Sequence, residues 1–550
     1  MKMKIIYTII FLASIPLFAQ RTVGIIKNDS TALNGYTLIA PLFANETYLV
    51  DNCGDLVNSW RASNYKPGPV VYLLEDGSIL RTCKLTTGSI ITGGSGGRLE
   101  RWNWNDSLVW SYNFDSPIYR QHHDVKVLPN GNILILAWDV KSRGEAITSG
   151  LDTTHFNDEI WSEKVTEIMP IGSDSAVVVW EWKLWDHLVQ DHDSTKNNYG
   201  VISDNRHKVD LNYFNNNGIS KDYFHANSLD YNPTLDQIMI SIRNYDEFWV
   251  IDHSTTTSQA ATNIGGTAGL GGDILYRWGN AEAYGLGDLS DKKLFGQHDP
   301  NWIPNSYRDG GQIIFFNNGY NDTNQISRAQ KITPPIGVNG TYNYLAGQPF
   351  GPTIVNWSYE MPLFVDFVSG VNRLPNGNTL ITSGPDAHIY ELDPQDSVVW
   401  EYVSPVTQSG IVSQGATPAG NTVFRTYKYA DNLPAFIVNP IRNFGPIELN
   451  PTPFNCQLYP SMMVSLNDAK ERELEAFVVQ NPIREQLHIR NTTNEVIMIT
   501  VYDAKGQLII RSKSNNAEVF INSSSWNPNL YVVIIQQGEQ IRTHKVIKVN

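Results

Sequence analysis

The sequence is short of cysteine and of charged residues. It has three cysteines, Cys53, Cys83 and Cys456, and only 17% of its 550 residues are charged. The spacing of the cysteines supports neither a thiolate metal site nor a cysteine nucleophile. In an oxidising compartment one disulfide can form, and Cys53–Cys83 is the pair that we favour on the sequence alone.

Positive charge and long apolar segments are scarce as well. The formal net charge of −14 argues against nucleic acid or an anionic membrane surface as a partner, although a local basic pocket for a small anion is compatible with it. After residue 20 no run reaches the roughly 18 apolar residues of a spanning helix. Residues 1–20 combine Lys2 and Lys4 with a short apolar run and Ala19. This pattern predicts a signal peptide and an exported protein, with a buried N-terminal strand as the alternative.

Aromatic residues and glycine are plentiful, with 15 Trp and 41 Gly. Six segments repeat one pattern, in which a hydrophobic strand and a polar turn are followed by apolar residues that end in tryptophan. The two plainest copies, 99–112 and 390–402, share an Asp-Ser pair before the apolar residues and Trp. The tryptophans that end the six units are Trp60, Trp110, Trp180, Trp278, Trp357 and Trp400.

A second repeat predicts hairpins. Residues 125–136 and 371–382 both carry Leu-Pro-Asn-Gly-Asn between alternating apolar runs. Because small repeated sheets must bury their faces against neighbours, the sequence predicts an all-β fold, with a six-bladed β-propeller over residues 21–447. A pair of β-sandwiches is the alternative. The wide gap between Trp180 and Trp278 predicts a long insertion, in which 181–191 forms a short helix.

The C-terminal part of the chain changes character. Residues 448–475 are rich in Pro and Asn at their start and predict a linker, and 476–550 predict a small β-sandwich of alternating strands. Its Asn481-Pro482 pair, the turn at 501–506 and the final strand resemble the C-terminal sorting domain of the type IX secretion system. The resemblance implies that the type IX machinery is a partner and that the protein crosses the outer membrane to be anchored or released. A carbohydrate-binding or adhesion sandwich is the alternative.

The hairpin at 221–252 carries the first candidates for chemistry. Asn232-Pro233 predicts its turn, and Ile238, Ile240 and Ile242 predict its second strand. We expect His225 and Asn227 to share a face of the first strand and Arg243 to end the second. An imidazole, a carboxamide and a guanidinium at one end of a sheet are suited to hold an oxyanion.

Two further histidine motifs lie at predicted strand heads or loop tips. His122-His123 opens the strand that runs into Val125, and His298 stands before Asp299-Pro300. In a propeller such positions converge on one mouth of the central channel. Three histidines could bind zinc, but an arginine beside them opposes a cation and favours an anionic group.

Three other motifs carry no predicted chemistry. Gly93–Gly97 spells a nucleophile elbow, but the following residues predict a strand instead of the required helix. Residues 191–195 begin like a calcium loop but lack its later glycine and glutamate, so we expect a solvated loop. We expect the nearby His187 and His192 to be solvated too.

The segments 121–136, 224–244 and 294–302, in this order, resemble the bacterial arylsulfate sulfotransferase family. The resemblance implies an exported six-bladed propeller that uses no nucleotide sulfate donor and needs no cofactor. It implies that His298 is the nucleophile of a sulfohistidine intermediate and that His225 and Arg243 grip the sulfuryl oxygens. Asn227 would be a supporting donor, and His123 would bind sulfate or transfer a proton, with His122 left open as its replacement.

The expected function is therefore transfer of a sulfuryl group from an aryl sulfate to a phenol. Alignment and stabilisation of charge on oxygen are what such a transfer requires. Two rival functions remain at this point: a non-catalytic surface propeller for binding or adhesion, and a metal- or quinone-dependent propeller enzyme.

Overall fold

The structure is a computed structural model of the chain, and it describes residues 21–61, 64–214, 220–459, 477–479, 483–491, 496–503, 508–537 and 540–549. The expected signal peptide and residues 460–475 of the expected linker lie outside the described residues. The chain divides into two compact units, Met1–Ser461 and Met462–Asn550. Within the described residues, no helix has the length and apolar character needed to span a bilayer.

The first unit is built almost entirely of strands. In chain order they are β1 (Gly24–Asn28), β2 (Gly35–Ile39), β3 (Glu46–Asp51), β4 (Leu56–Arg61), β5 (Pro67–Leu73), β6 (Ile79–Lys84), β7 (Gly97–Trp102), β8 (Leu108–Asn113), β9 (Asp115–Ser116), β10 (Tyr119–Val127), β11 (Ile133–Lys141), β12 (Ile160–Ile171), β13 (Ser175–Lys183), β14 (Leu188–Val189), β15 (Val209–Asp210), β16 (Ala226–Asn232), β17 (Gln237–Ile242), β18 (Glu247–Asp252), β19 (Tyr276–Trp278), β20 (His298–Trp302), β21 (Ile313–Asn317), β22 (Arg328–Ile332), β23 (Trp357–Glu360), β24 (Gly370–Arg373), β25 (Thr379–Ser383), β26 (His388–Leu392), β27 (Val398–Val403), β28 (Val406–Thr407), β29 (Gly410–Ile411) and β30 (Tyr427–Ala430).

Helices in this unit are short. The α-helices are α1 (Arg143–Thr148), α2 (Thr257–Ala260) and α3 (Pro434–Val438), and the 3₁₀ turns are Leu184–His187, Ile202–Asn205, Arg243–Tyr245, Ala281–Tyr284 and Val338–Gly340. The predicted helix at 181–191 is a correction, because the chain there forms the end of β13, a single 3₁₀ turn and β14.

Six antiparallel sheets of four or five strands make up the described part of the first unit, besides two two-stranded ones. The sheet orders are β30-β2-β3-β4, β5-β6-β7-β8, β9-β10-β11-β12-β13, β16-β17-β18-β19, β20-β21-β22-β23 and β24-β25-β26-β27-β1. Strands β5, β10, β16, β20 and β24 contact one another in this order. The predicted all-β class and propeller architecture are confirmed. The predicted hairpins at 125–136, 226–242 and 371–382 are confirmed as well.

The repeated tryptophans tie each sheet to the next. Five of the six lie on the edge strand of their sheet, and Trp400 lies on β27, which β1 covers. The indole N–H of each donates to an oxygen in the following sheet or its connections. The acceptors are Asn103 O (2.8 Å) for Trp60, Ser175 O (3.0 Å) for Trp110, Thr255 Oγ1 (3.2 Å) for Trp180, Pro352 O (2.9 Å) for Trp278, Asp396 Oδ1 (3.0 Å) for Trp357 and Asn52 O (2.9 Å) for Trp400. Since Trp400 of the last sheet donates to the first, the six links close a ring.

Both ends of the first unit contribute to this closure. Near the N-terminus β1 pairs with β27 of the last sheet, while β30, from the C-terminal side, pairs with β2 of the first. A disulfide joins Cys53, in the turn between β3 and β4, to Cys456. The expected Cys53–Cys83 pair is therefore wrong, and Cys83 is a buried free thiol on β6.

The second unit is a two-layer β structure. Its strands are β31 (Phe477–Val479), β32 (Gln486–Asn491), β33 (Ile497–Asp503), β34 (Leu508–Ser514), β35 (Glu518–Asn522), β36 (Asn529–Gln537) and β37 (Gln540–Lys548). They form the sheets β31-β32-β35 and β34-β33-β36-β37. Side chains from both sheets, among them Leu487, Ile521, Ile499 and Val533, share one buried core.

Candidate functional site

Three neighbouring inner strands carry the candidate histidines. His225 directly precedes β16 and His298 is the first residue of β20. His123 lies in the middle of β10 and does not open the strand as expected, because β10 already begins at Tyr119. A β-bulge interrupts each strand at this point, and His123 and His225 adopt left-handed backbone angles, with φ of 46° and 50°. A bulge re-aims side chains, so the simple alternation behind the shared face expected for His225 and Asn227 does not hold.

The imidazoles come together at the hub of the ring. The ring centroids of His123 and His225 lie 4.8 Å apart. Phe424, which the sequence did not single out, contacts both His123 (5.9 Å) and His298 (6.2 Å) with its ring. The charges of His225, His298 and Arg243 all act on His123. The four residues predicted as catalytic thus share one location.

His298 is held in one orientation by its Nδ1 atom. Nδ1 lies 2.8 Å from Asn318 Oδ1 and 3.1 Å from Gly296 O. Both partners are acceptors, so Nδ1 carries the proton and Nε2 keeps its lone pair. Burial, followed by the positive charge of Arg243, lowers the pKa of His298 to about 3. The imidazole is therefore neutral at physiological pH.

His225 is oriented by a buried carboxylate. Its Nδ1 lies 2.6 Å from Asp222 Oδ2, and Trp138 Nε1 donates to the other oxygen of Asp222 over 2.9 Å. Burial raises the pKa of Asp222, but the His225 charge and these hydrogen bonds outweigh burial and leave the pKa below its usual value. Because Asp222 is ionised, Nδ1 of His225 carries the proton and donates it to Asp222. Nε2, on the other side of the ring, points away from Asp222.

His122 and His123 have different positions. His122 is fully buried, stacks on Trp138 with ring centroids 4.1 Å apart, and places Nε2 2.8 Å from Glu163 Oε2. Its Nδ1 lies 2.8 Å from Nδ1 of His123. The geometry puts His123 beside His225 and puts His122 behind it, the choice that the sequence left open.

Arg243 stands at the end of β17, as expected from the sequence, and begins a 3₁₀ turn. Its guanidinium lies over the ring of Tyr320, 4.7 Å from the centroid, and Nη1 makes a long contact of 3.4 Å with Asn244 Oδ1. Neither partner is an anion. Within the described residues, then, no carboxylate is bonded to this guanidinium.

Asn227 supports the segment that leads into His298 and β20. Its Nδ2 donates to Gln297 O over 2.7 Å, while its buried Oδ1 has no hydrogen-bond partner within the described residues. Gln297 in turn donates through Nε2 to Ile242 O (3.2 Å) and Glu247 O (2.7 Å). Asn227 therefore helps to fix the backbone just before His298.

Arg425, which the sequence analysis did not identify, binds one aspartate on each of two inner strands, β10 and β20. Arg425 is buried, with Nη2 2.5 Å from Asp124 Oδ2 and Nη1 3.0 Å from Asp299 Oδ1. These aspartates directly follow His123 and His298. Burial raises the pKa of Asp299 to about 7, against the opposing charge of Arg425. The arginine thus couples the backbone positions of two candidate catalytic histidines.

The glycine-rich segment at 93–97 also reaches the site. A Cβ atom on Gly94, where φ is +80°, would lie 2.0 Å from Cε1 and 2.1 Å from Nε2 of His123. The segment is a turn, as predicted, and β7 follows it. The lack of a side chain on Gly94 leaves room for the His123 imidazole, a role that the glycine-rich sequence alone does not predict.

The other polar motifs lie elsewhere. His192 is exposed as expected, but His187 is fully buried, with Nδ1 2.7 Å from Asp273 Oδ1 and Nε2 2.8 Å from Ala260 O. The prediction of a solvated His187 is wrong because the insertion folds back onto α2. Within the described part of the chain, no group of three or more His, Cys, Asp or Glu residues is placed to hold a metal ion.

Comparisons with known proteins match two segments of the chain to family models. Residues 23–404 match the model described as Arylsulfotransferase (ASST), and residues 480–549 match the Secretion system C-terminal sorting domain. A comparison with curated proteins finds no match.

Three similar solved structures share 9–14% sequence identity with this chain. They include hydrazine synthase of Kuenenia stuttgartiensis (14% identity over 55% of this chain and 69% of that one, TM-score 0.32). Virginiamycin B lyase from Staphylococcus aureus is 9% identical over 69% and 88%, with a TM-score of 0.29. Regucalcin from Agrobacterium tumefaciens is 11% identical over 70% and 95%, with a TM-score of 0.29.

Proposed function

Because this chain belongs to the arylsulfotransferase family, we propose that it moves a sulfuryl group from an aryl sulfate to a phenol through a sulfohistidine at His298. Its sorting domain indicates export through the type IX system, with the cell surface or the medium as destination. The transfer is therefore expected to act on aryl sulfates and phenols outside the cell.

One observation carries the choice of His298 as nucleophile. Asn318 and Gly296 accept the Nδ1 proton, so Nε2 presents a lone pair. The low pKa of His298 keeps this lone pair unprotonated. A positioned, neutral imidazole is a competent nucleophile. The two groups that accept the Nδ1 proton of His298 are uncharged, whereas the Nδ1 partner of His225 is the Asp222 carboxylate.

The reaction then divides into two balanced steps. Nε2 of His298 attacks sulfur, an N–S bond forms, and the bond between sulfur and the aryl oxygen breaks, so that the phenolate leaves with the electron pair. In the second step the oxygen of an incoming phenol attacks the same sulfur and the N–S bond breaks. Arg243, to which no carboxylate of the described residues is bonded, and His225 stabilise the charge on the sulfuryl oxygens.

Phe424 supplies an apolar surface between two of the imidazoles. We expect it to contact the aromatic ring of the donor or the acceptor. Asn227 acts through the backbone of Gln297 and positions His298.

A transfer assay distinguishes this proposal from its two rivals. Purified protein is incubated with a nitrophenyl sulfate and phenol, and both nitrophenol and phenyl sulfate are measured. The proposal predicts equal amounts of the two products, parallel lines in double-reciprocal plots of a ping-pong reaction, and no effect of a chelator. No product would favour the non-catalytic propeller, and activity that is lost on chelation and restored by metal would favour the metal-dependent enzyme.

A further inference from the structure

Each step of the proposed reaction requires a proton to move. The leaving phenolate must receive one, and the entering phenol must lose one. His123 is the imidazole nearest to His225, but its surroundings oppose a positive charge. The pKa of His123 lies well below its usual range because the ring is buried and because it is exposed to the charges of His225, His122, His298 and Arg243. A proton must therefore be stored elsewhere.

The structure provides such a place behind His123. Nδ1 of His123 and Nδ1 of His122 are 2.8 Å apart, and Nε2 of His122 is 2.8 Å from Glu163 Oε2. The second oxygen of Glu163, Oε1, accepts the backbone N–H of Ala226 over 2.8 Å. His122 and Glu163 are fully buried, so solvent cannot replace either partner.

We propose that Glu163, His122 and His123 form a proton relay in which phenolic protons enter and leave at His123 Nε2 and are stored on His122. This inference rests on the proposed sulfuryl transfer and adds Glu163 and His122 to it as positioning residues. His123 is the group that contacts the phenol oxygen.

The protons balance over the catalytic cycle. Before the donor step His122 holds a proton on each nitrogen, Nε2–H donating to Glu163 and Nδ1–H donating to His123. When the S–O bond breaks, His123 Nε2 gives its proton to the phenolate, and the His122 Nδ1 proton passes to His123 Nδ1. In the acceptor step the phenol proton goes to His123 Nε2, His123 returns its Nδ1 proton to His122, and the relay is restored.

Electrostatics favours His122 as the charged member. A proton on His122 lies beside the Glu163 carboxylate and within the field of Asp222, whereas a proton on His123 lies among His225, His298 and Arg243. Burial raises the pKa of Glu163 above its ordinary value, and the charge of His122 and the hydrogen bonds from His122 and the Ala226 N–H oppose this rise. The two donors that the relay requires are thus the groups that favour the ionised form of Glu163.

The substitution Glu163→Gln tests the relay. A glutamine can accept from Ala226 N–H with its oxygen, and its amide then donates to His122 Nε2. The hydrogen bonds along His122 and His123 then run in the opposite direction. His123 Nε2 therefore always carries a proton and cannot accept one from a phenol. We expect the burst of nitrophenol from a nitrophenyl sulfate to remain within about threefold of wild type, because an acidic leaving group needs little proton transfer. Transfer to a phenol of pKa about 10 should slow by roughly 10²- to 10⁴-fold, and transfer to an acidic nitrophenol should slow far less.

Glu167→Gln is the matched control. Glu167 lies on the same strand, β12, and accepts from His253 Nε2 over 3.0 Å, outside the site. It should leave the dependence on acceptor pKa unchanged. Equal slowing of Glu163→Gln with all acceptors would overturn the relay, whereas absence of a nitrophenol burst in wild type would contradict the proposed function itself.

A measurement on the wild-type protein guards against a variant that does not fold. The acceptor step is followed in mixtures of H₂O and D₂O. Two protons moving together predict a curved dependence of the rate on deuterium content. A linear dependence, which indicates one moving proton, would contradict storage on His122.

Discussion

Nδ1 of His298 donates to Oδ1 of Asn318 over 2.8 Å, and Asn318 in turn donates to Val365 O and Val368 O. A residue from another strand end thus sets the tautomer of the proposed nucleophile. We predict that Asn318→Ala slows formation of the sulfohistidine by about 10²- to 10⁴-fold, as loss of an orienting partner does for other catalytic histidines. Rapid-quench measurement of the donor step checks this.

Asn378→Ala serves as the control for that substitution. Asn378 is also buried, and its carboxamide donates to Thr31 O and Glu391 Oε1, away from the site. It should lower stability but leave the rate per folded molecule unchanged. Equal rates for the two variants would show that Asn318 does not orient His298.

Gly94 offers a second test of the site. Gly94→Ala would place a Cβ 2.0 Å from Cε1 of His123, far inside van der Waals contact, and would strain a backbone with φ of +80°. We expect at least about a 10²-fold loss of transfer to phenol. The neighbouring Gly93 has open space around its Cβ position, so Gly93→Ala should stay within about twofold of wild type. Similar losses in both variants would refute the steric argument.

The disulfide is open to a direct chemical test. Digestion without reduction should yield a peptide that joins Cys53 to Cys456, and Cys83 should react with an alkylating agent only after unfolding. Cys456→Ser should lower the free energy of unfolding by about 2–5 kcal/mol, because it removes a long cross-link. A peptide joining Cys53 to Cys83 would contradict the structure.

His253 predicts a specific dependence of stability on pH. Burial lowers its pKa, but hydrogen bonds to Asp236 (2.6 Å) and Glu167 (3.0 Å) outweigh burial and raise the pKa to about 9. The raised pKa means that the stabilisation is complete below the unfolded pKa of about 6.5 and is lost as pH rises through about 9.

Denaturant unfolding of wild type and His253→Gln measures this contribution. The difference in free energy of unfolding should shrink by about 2 kcal/mol between roughly pH 6 and pH 9.5, a value reduced because Asp236 is partly exposed. A difference that stays constant or grows with pH would contradict the raised pKa.

Much of the architecture could be predicted because its signals are local. Turn residues and alternating apolar residues predict the hairpin at 125–136 and the one within 221–252, and each of the six sheets carries one of the repeated tryptophans. Arg243 followed β17 as expected, since the run of isoleucines ends one residue before it.

What could not be predicted depends on contacts between distant segments. Cys53 and Cys456 are 403 residues apart, and spacing holds no information about such a pairing. Asn318 directly follows β21, and Phe424 and Arg425 precede β30, so they reach the site from connecting segments whose local sequence shows no chemistry. The sequence alone predicts a solvated His187, because no periodic pattern in the sequence indicates that the insertion folds onto α2. The bulges at His123 and His225 arise where tertiary contacts override simple alternation.

The most direct test of the central claim is the site of labelling by an aryl sulfate in the absence of acceptor. The reaction is quenched, the protein is digested under alkaline conditions, and the masses of its peptides are measured by mass spectrometry. We predict that the peptide containing His298 gains the mass of one sulfuryl group, that phenol removes this mass, and that His298→Asn abolishes it while the circular dichroism spectrum is unchanged. A label on another residue, or a label and transfer that persist in His298→Asn, would contradict the assignment of His298 as the nucleophile.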